Sequence, residues 1–240
     1  GFASSLSELS ETLIKKIKTA YRVRPERRLA GRTEEPTGVS RHGSSARAAG
    51  RIDRVIGVAA STGGPPALEA VFAGLSADLP AAYIIIQHLP NGFAESLARR
   101  LGRVTDIEVV LANEGDRIEA GVAYIAQHGR HVVLTGRETT RIALDDAPSV
   151  HGVRPAADPT LASIAAKYAA RAVGVVLTGM GSDGAAGLAA IRDAGGETIV
   201  QNEETSVVWG MPGAAVKAGA ASHVVALDQI ATEIRRAVRG

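Results

Sequence analysis

The sequence predicts an α/β fold: a mainly parallel, doubly wound sheet with helices on both faces and an antiparallel β-hairpin region. From Arg51 onward, short apolar runs alternate with amphipathic stretches of about 10 to 15 residues, the spacing of βαβ units. The runs YIIIQ and VGVVL carry no polar alternation, as expected of strands buried on both faces. Residues 121–144 instead alternate around glycine-containing turns, a pattern typical of antiparallel hairpins.

The first fifty residues differ from the rest of the chain in composition and hydropathy pattern. Within residues 5–21, apolar side chains recur at three- and four-residue spacing and predict an amphipathic helix. Residues 22–50 are polar and arginine-rich and predict a flexible linker, whose basic run could alternatively contact an acidic partner. We therefore divide the chain into residues 1–50, a helix plus a linker, and residues 51–240, one domain that carries the chemistry.

The elements of this domain follow one another in a regular order. The runs IDRVIGVAA, AAYIIIQH and IEVVLA predict strands, separated by helices in PPALEAVFAGL and GFAESLARRLG. After the hairpin region come a helix in DPTLASIAAKYAAR, a strand in AVGVVLT, a helix in GAAGLAAIRDAG and a strand in GETIVQ. A short helix in MPGAAVKAG, a strand in SHVVAL and a helix in DQIATEIRRAVR close the chain.

Composition and hydropathy exclude several kinds of functional site and several classes of protein. The chain has 27 basic and 25 acidic residues, a balance that does not point to nucleic-acid binding. It has no cysteine, which excludes disulfides, thiolate metal sites and cysteine nucleophiles. No apolar stretch approaches the roughly 20 residues of a membrane span, and the amino terminus has no signal-peptide pattern. We therefore expect a cytoplasmic protein that is not inserted in a membrane.

Three polar residues follow predicted strands and predict an active site. Ser61 closes VIGVAA, His88 closes AAYIIIQ, and Asp183 lies in the GMGSDG segment directly after AVGVVLT. Ligands of parallel sheets bind beyond the carboxyl ends of the strands, so neighbouring strands would bring these side chains together. A hydroxyl, an imidazole and a carboxylate form the relay of a nucleophile, a base and an orienting group.

Each of these residues also has a structural interpretation. Ser61 could cap the helix that opens near Pro65. His88 could be a hydrogen-bonded structural residue, and Asp183 an acid favoured by the dipole of the helix that follows it. The combination at three strand ends favours the catalytic interpretation.

Other patterns predict competing sites. The GMGSDG segment matches the dinucleotide fingerprint G-x-G-x-x-G, with Glu203 and Glu204 about twenty residues on, but it falls late in the domain. His128 and His131 resemble a metal pair, yet their spacing does not converge in a hairpin and further ligands are not obvious. Two more residues, His151 and Arg154, are candidates for the rim of a pocket or for a solvated loop.

Several linked motifs carry a family resemblance. The segments VIGVAASTGGPPAL, IIIQHLP, VAYIA, VVLTGMGSDGAAGL and SVVWGMPGAAVKAGAA, in this order, closely resemble the catalytic domain of the chemotaxis protein-glutamate methylesterases (CheB) over residues 51–236. The resemblance implies a serine hydrolase that removes methyl groups from glutamate γ-methyl esters on the cytoplasmic helices of chemoreceptors. Many members also deamidate particular receptor glutamines. In the family, a phosphorylatable receiver domain precedes the interdomain linker that residues 5–21 resemble.

The resemblance also assigns roles to residues. It implies Ser61 as the nucleophile, His88 as the general base and later acid, and Asp183 as the orienting carboxylate. Met180 would offer a backbone N–H to the oxyanion, with Thr62 close by. No metal and no organic cofactor are implied, and the partners are methyl-accepting chemoreceptors or related signalling proteins.

Two expectations remain open on the sequence alone. The stretch HGVRPAADPTLASIA is looser than the family's proline-serine-valine-aspartate stretch, which puts substrate contacts in doubt more than the chemistry. Gly63 and Gly64 are expected to leave the hydroxyl of Ser61 uncovered for a bulky substrate. A non-catalytic adaptor that retains the fold is a further hypothesis, and the intact set of serine, histidine and aspartate argues against it.

Overall fold

The structure, a computed structural model, describes residues 51–240. The helix and linker predicted for residues 1–50 lie outside the described residues. Among residues 51–240, none of the helices combines the length and the apolar character that a membrane span requires.

Nine strands and six α-helices are formed by residues 51–240. The strands are β1 (Arg54–Ala60), β2 (Ala81–Gln87), β3 (Glu108–Leu111), β4 (Val122–Ile125), β5 (His131–Thr135), β6 (Arg141–Asp145), β7 (Ala172–Val176), β8 (Glu197–Gln201) and β9 (His223–Val225). The helices are α1 (Gly64–Ala73), α2 (Ala94–Leu101), α3 (Ala157–Tyr168), α4 (Ala185–Asp193), α5 (Met211–Lys217) and α6 (Leu227–Arg239). A short 3₁₀ turn (Ala169–Arg171) joins α3 to β7.

Seven of these strands form one sheet in the order β3-β4-β2-β1-β7-β8-β9, and every pairing in it is parallel. β1 is central, with β2 on one side and β7 on the other. From β1 the chain crosses over to β2, whereas β7 continues to β8 in the opposite direction along the sheet. A crevice forms outside the carboxyl ends of the strands where the winding reverses in this way. The predicted mainly parallel, doubly wound fold is confirmed.

The prediction for residues 121–144 was only partly right. β5 and β6 form the antiparallel hairpin as a separate two-stranded sheet. β4 pairs in parallel between β3 and β2 and is buried along its whole length. The run VAYI alternates too little to expose one face, so burial in the main sheet suits it better than a hairpin.

Helices cover both faces of the sheet, as predicted. On one face α1, α2 and α6 bury Leu68, Phe72, Leu101 and Ile234 against the sheet. On the other face α3, α4 and α5 pack against it together with the β5–β6 hairpin. Burying a leucine, isoleucine or phenylalanine side chain contributes about 1.5–3 kcal/mol to folding. The two apolar layers therefore hold the strand ends in fixed positions, and the candidate site is built on those ends.

Candidate active site

Ser61 lies at the carboxyl end of the central strand. It directly follows β1, and its N–H donates to the carbonyl of Thr178, 3.1 Å away, in the segment after β7. The following helix α1 has Gly63 as its N-cap residue and no side-chain capping hydrogen bond. The structure therefore does not support the interpretation of Ser61 as a helix cap.

The two glycines after Ser61 are required by internal packing. Gly63 has φ +80°, a left-handed conformation, and an added Cβ would lie 2.7 Å from Val207 Cβ. An added Cβ at Gly64 would collide with the buried side-chain oxygen of Gln87. Packing against neighbouring protein atoms therefore requires glycine at both positions, and the expectation that they leave the hydroxyl uncovered stays a prediction.

His88 lies beside Ser61 at the end of the neighbouring strand. β1 and β2 are in register through Ala60 opposite Gln87, and the N–H of His88 donates to the carbonyl of Ala60 at 3.1 Å. The residues that follow this last pair are Ser61 and His88. The parallel register thus places the hydroxyl and the imidazole on adjacent positions of one edge.

Asp183 joins the pair from the loop between β7 and α4. Its Oδ2 lies 2.8 Å from Nε2 of His88, and its side chain is only 2% exposed. Oδ2 also accepts the N–H of Ala157 at 2.6 Å, and Oδ1 accepts the N–H of Asp158 at 3.0 Å. These donors form the amino terminus of α3, where the helix dipole favours a negative charge. Asp183 is thus a helix-terminus acid for α3 and contacts His88 at the same time.

This environment keeps the Asp183 carboxyl ionised. Burial on its own disfavours the charged form, but the hydrogen bond from His88 and those from Ala157 and Asp158 outweigh it. The pKa of Asp183 consequently lies below its ordinary value of 3.8. At neutral pH a carboxylate therefore faces the imidazole.

The tautomer of His88 follows from this contact. A carboxylate only accepts hydrogen bonds, so Nε2 of His88 carries the proton, and a neutral ring then has its lone pair on Nδ1. Nδ1 is thus the nitrogen available to a serine hydroxyl. Within residues 51–240, the hydroxyl of Ser61 makes no hydrogen bond to that ring.

Free N–H groups surround Ser61. The carbonyl of Ser61 accepts Gly64 N–H at 2.8 Å and Gln87 Nε2 at 2.9 Å, and the carbonyl of Thr62 accepts Thr178 Oγ1 at 3.0 Å. The C=O and N–H of a trans peptide point in opposite directions. The N–H groups of Thr62 and Gly63 therefore point away from these internal partners, and neither has an acceptor among the described residues.

The same argument applies to Met180. The carbonyl of Gly179 accepts the N–H groups of Gly210 at 3.1 Å and Met211 at 2.9 Å, which turns the Met180 N–H the opposite way. Within the described range this N–H has no acceptor. Residue Met180 is 73% exposed, whereas the backbone before it is held by the two hydrogen bonds to the Gly179 carbonyl.

Sequence reasoning missed the residues that hold this edge together. Nε2 of Gln87 donates to the carbonyls of both Ser61 and His88, at 2.9 and 3.1 Å. Oε1 of Gln201 accepts the N–H of Thr178 at 2.8 Å. The hydroxyl of Thr178 in turn donates to the carbonyl of Thr62. All three supporting side chains are buried. Each is a polar residue at the end of an apolar strand run, the same signal that identified His88.

A cleft opens on the side of His88. It has a volume of about 390 Å³ and is lined by His88, Leu89, Pro90, His128, Gly152 and Arg154. Arg154, predicted as a rim residue, donates to the carbonyls of Asp146 and Ala147. Phe93 and Val207 are also exposed beyond neighbouring strand ends. The cleft therefore opens beside the imidazole of His88.

The competing sites receive little support. His131 is fully buried, and its ring nitrogens are bonded to Ala156 N–H and the Pro148 carbonyl, at 3.1 Å each. It is therefore not available to a metal. The Gly187 N–H in the first turn of α4 donates to the Asp158 carboxylate at 2.8 Å, so an acid lies where the dinucleotide fingerprint would place a pyrophosphate.

One trio has ligand-type atoms close together. Atoms of His151, Asp158 and Asp183 lie within 4.8 Å of one another. All three groups already hydrogen-bond within the protein, Asp183 through both of its oxygens. We therefore assign no metal to this trio.

Comparison with known proteins agrees with this architecture. The family model described as CheB methylesterase matches residues 56–234. The crystal structure of the Thermotoga maritima CheB methylesterase catalytic domain superposes with a TM-score of 0.75 at 34% identity, covering 76% of this chain and 97% of that one.

Curated relatives are similar over most of the chain. A protein-glutamate methylesterase/protein-glutamine glutaminase of Pyrococcus horikoshii is 41% identical over 235 residues, which is 98% of this chain and 63% of the relative. One of the same name from Symbiobacterium thermophilum is 47% identical over 185 residues, 77% of this chain and 51% of the relative. This chain thus spans about half to two thirds of the length of these relatives. The chain belongs to the CheB methylesterase family.

Proposed function

We propose that residues 51–240 form a catalytic domain that hydrolyses glutamate γ-methyl esters on chemoreceptors or related signalling proteins, and that it also deamidates glutamine side chains. One observation carries the proposal. Ser61 directly follows the central strand and lies beside His88, whose Nε2 is bonded to the buried carboxylate of Asp183. The names of the curated relatives support the choice of both substrates.

The first half of the reaction forms an acyl-enzyme. Nδ1 of His88 accepts the proton of Ser61 as Oγ attacks the ester carbonyl, and Asp183 stabilises the imidazolium that results. The Ser61–His88 hydrogen bond has to form in the substrate complex, since catalytic hydrogen bonds often tighten only there. The N–H groups of Thr62, Gly63 and Met180 would donate to the oxyanion. His88 then gives its proton to the departing methoxide, and methanol leaves.

The second half regenerates the serine. A water molecule attacks the acyl carbonyl while His88 takes its proton, and the collapse of the second tetrahedral intermediate returns that proton to Ser61. The product is a free glutamate carboxylate. For a glutamine substrate the same steps release ammonia, and His88 must protonate a poorer leaving group. No step requires a metal or an organic cofactor.

The location and partners follow from the same proposal. The glutamates in question lie on the cytoplasmic helices of chemoreceptors in the family that this chain resembles, so we infer that it acts in the cytoplasm. A receiver domain preceding the helix and linker predicted for residues 1–50 is part of the proposal, because the curated relatives are longer than this chain. Phosphorylation of that domain would regulate access to the edge that holds Ser61.

The test is methanol release from membranes that carry methylated chemoreceptors. We expect Ser61→Ala to lose about 10⁴-fold or more in turnover, because the nucleophile is absent. A matched control is Ser76→Ala, in the loop before β2 at the opposite edge of the sheet, which should keep normal turnover. Turnover in Ser61→Ala equal to that of the control would refute the assignment. A wild-type domain that binds receptors but releases no methanol would support the adaptor hypothesis instead.

A further inference from the structure

A second chain of hydroxyl, imidazole and carboxylate lies next to the first. Ser182 Oγ is 3.4 Å from Nδ1 of His151, and Nε2 of His151 is 2.7 Å from Oδ2 of Asp158. As in the first chain, Nε2 contacts the carboxylate, so Nδ1 is the nitrogen left for a hydroxyl. The mechanism above uses none of these three side chains.

The backbone around Ser182 repeats the backbone around Ser61. Each serine is followed by one residue and then by a glycine with a left-handed conformation, Gly63 at φ +80° and Gly184 at φ +91°. In each case the helix begins at the next residue. The serine carbonyl accepts the N–H of that first helical residue, at 2.8 Å for Ser61 and 3.2 Å for Ser182. Both serines are therefore presented by the same turn ahead of a helix.

This turn supplies an oxyanion donor as well. The Ser182 carbonyl is bonded to the Ala185 N–H, so the N–H of the Ser182–Asp183 peptide points the other way. The Asp183 N–H has no acceptor among residues 51–240. An N–H on the residue after the nucleophile is the usual first donor to a tetrahedral oxyanion.

His151 is held in place by a two-residue turn. Val150 and Val153 exchange backbone hydrogen bonds of 3.2 and 3.0 Å, and His151 and Gly152 between them both have positive φ, +53° and +74°. That geometry corresponds to a type I′ turn, for which Asn-Gly is the preferred pair. A non-glycine residue at positive φ is uncommon, although histidine is among the types that adopt it more often, and strained residues concentrate at functional sites.

Asp158 is suited to orient the imidazole. Its Oδ1 accepts the N–H of Gly187 at 2.8 Å, so the carboxylate is fixed at the amino terminus of α4. Its side chain is mostly buried, whereas that of His151 is 38% exposed and Ser182 is exposed to solvent. The orienting group is thus anchored, and the hydroxyl is accessible to a reagent.

We propose that Ser182, His151 and Asp158 form a second nucleophilic site that takes acyl groups from small, activated esters. In the step, His151 Nδ1 takes the Ser182 proton, Oγ forms a bond to the acyl carbon, and the bond to the alcohol oxygen breaks. The proton leaves with the alcohol, or passes to solvent when the alcohol departs as a stable anion. Hydrolysis of the acyl-serine then consumes one water. This inference does not rest on the function proposed for Ser61.

The experiment uses the full chain with Ser61→Ala, treated with a fluorophosphonate and digested for peptide mapping. The expected result is a phosphonyl group on Ser182, with loss of fluoride, at a rate far above that of Ser149. Ser149 is an exposed serine without a histidine partner in the described part of the chain, so it reports background labelling. Labelling of Ser182 no faster than that of Ser149 would overturn the proposal.

A second variant separates catalysis from structure. His151→Asn places the preferred Asn-Gly pair in the turn, so the loop should stay folded while the base is lost. We expect labelling of Ser182 to slow by about 10²–10⁴-fold, the usual contribution of a general base. An unchanged rate, with an unchanged melting curve, would show that His151 does not activate the serine.

A third readout leaves the turn between Val150 and Val153 unaltered. With p-nitrophenyl acetate, Ser61→Ala should release p-nitrophenolate and form an acetyl group on Ser182. The double variant Ser61→Ala/Ser182→Ala should release none above the solution rate. Equal release by both variants would also overturn the proposal.

Discussion

Replacing Asp183 with asparagine tests the hydrogen-bond arrangement at the core of the candidate site. The carboxylate accepts three hydrogen bonds: two at Oδ2, from His88 and Ala157, and one at Oδ1, from Asp158. An asparagine has only one oxygen, so its NH₂ group must face at least one of these N–H donors. Either orientation leaves a buried donor without an acceptor.

The cost can be estimated from these contacts. Losing hydrogen bonds to a charged acceptor and leaving a buried N–H unsatisfied costs about 2–4 kcal/mol in the free energy of unfolding. For a domain of this size that corresponds to a fall in melting temperature of roughly 5–15 °C. If NH₂ faces His88, the imidazole must turn its lone pair toward it and place its proton on Nδ1. Ring nitrogen Nδ1 could then no longer accept the Ser61 proton, and turnover should fall by about 10⁴-fold.

The assay is methanol release at several substrate concentrations, with thermal unfolding of the same samples. We expect kcat to fall and KM to change little, because Asp183 is buried and contacts the base rather than the substrate. Asp193→Asn is the matched control, since Asp193 lies at the end of α4 with a 68% exposed side chain. It should change the unfolding free energy by less than about 0.5 kcal/mol.

The effect should also depend on pH with a definite sign. The pKa of Asp183 is lowered in the folded protein, so its charge stabilises the fold above the ordinary value of 3.8. That stabilisation is lost as the pH falls through the lowered value. The stability difference between wild type and Asp183→Asn should therefore be constant near neutral pH and shrink in acid. Near-normal kcat, or a stability difference that grows in acid, would refute the reasoning.

Three further substitutions test residues that surround Ser61 at the carboxyl edge of the sheet. Gly63→Ala forces a left-handed alanine against Val207 and should cost about 1–3 kcal/mol in unfolding free energy, measured by denaturant titration. Thr178→Val removes the hydroxyl that donates to the Thr62 carbonyl and should lower kcat, whereas Thr178→Ser retains the hydroxyl and should keep kcat. Equal kcat for both variants would show that the hydroxyl is not needed. Met180→Ala should leave kcat for methanol release nearly unchanged, because only its backbone N–H is proposed to act. A large fall in kcat would assign the side chain a role.

Much of the fold was predictable because it is encoded locally. Apolar runs such as AAYIIIQ and amphipathic stretches such as LDQIATEIRRAVR carry their period in neighbouring residues, and the strands and helices formed close to where these patterns lie. The direction of β4 was not predictable in this way. Four buried residues fit a parallel or an antiparallel neighbour equally well, and the choice depends on which strands flank them.

The sequence by itself determined which chemical groups stand at the strand ends. A polar residue that closes an apolar run, such as Ser61 or His88, is favoured at an edge of the sheet, because a buried polar group is costly unless it finds a hydrogen-bond partner. Only the tertiary structure decided what these groups contact. Asp183 meets the amino terminus of α3 rather than that of its own helix, and Ser182 meets His151 across 31 positions of sequence. Such contacts depend on strand order and helix placement, which are set by the packing of the whole domain and leave no local pattern in the chain.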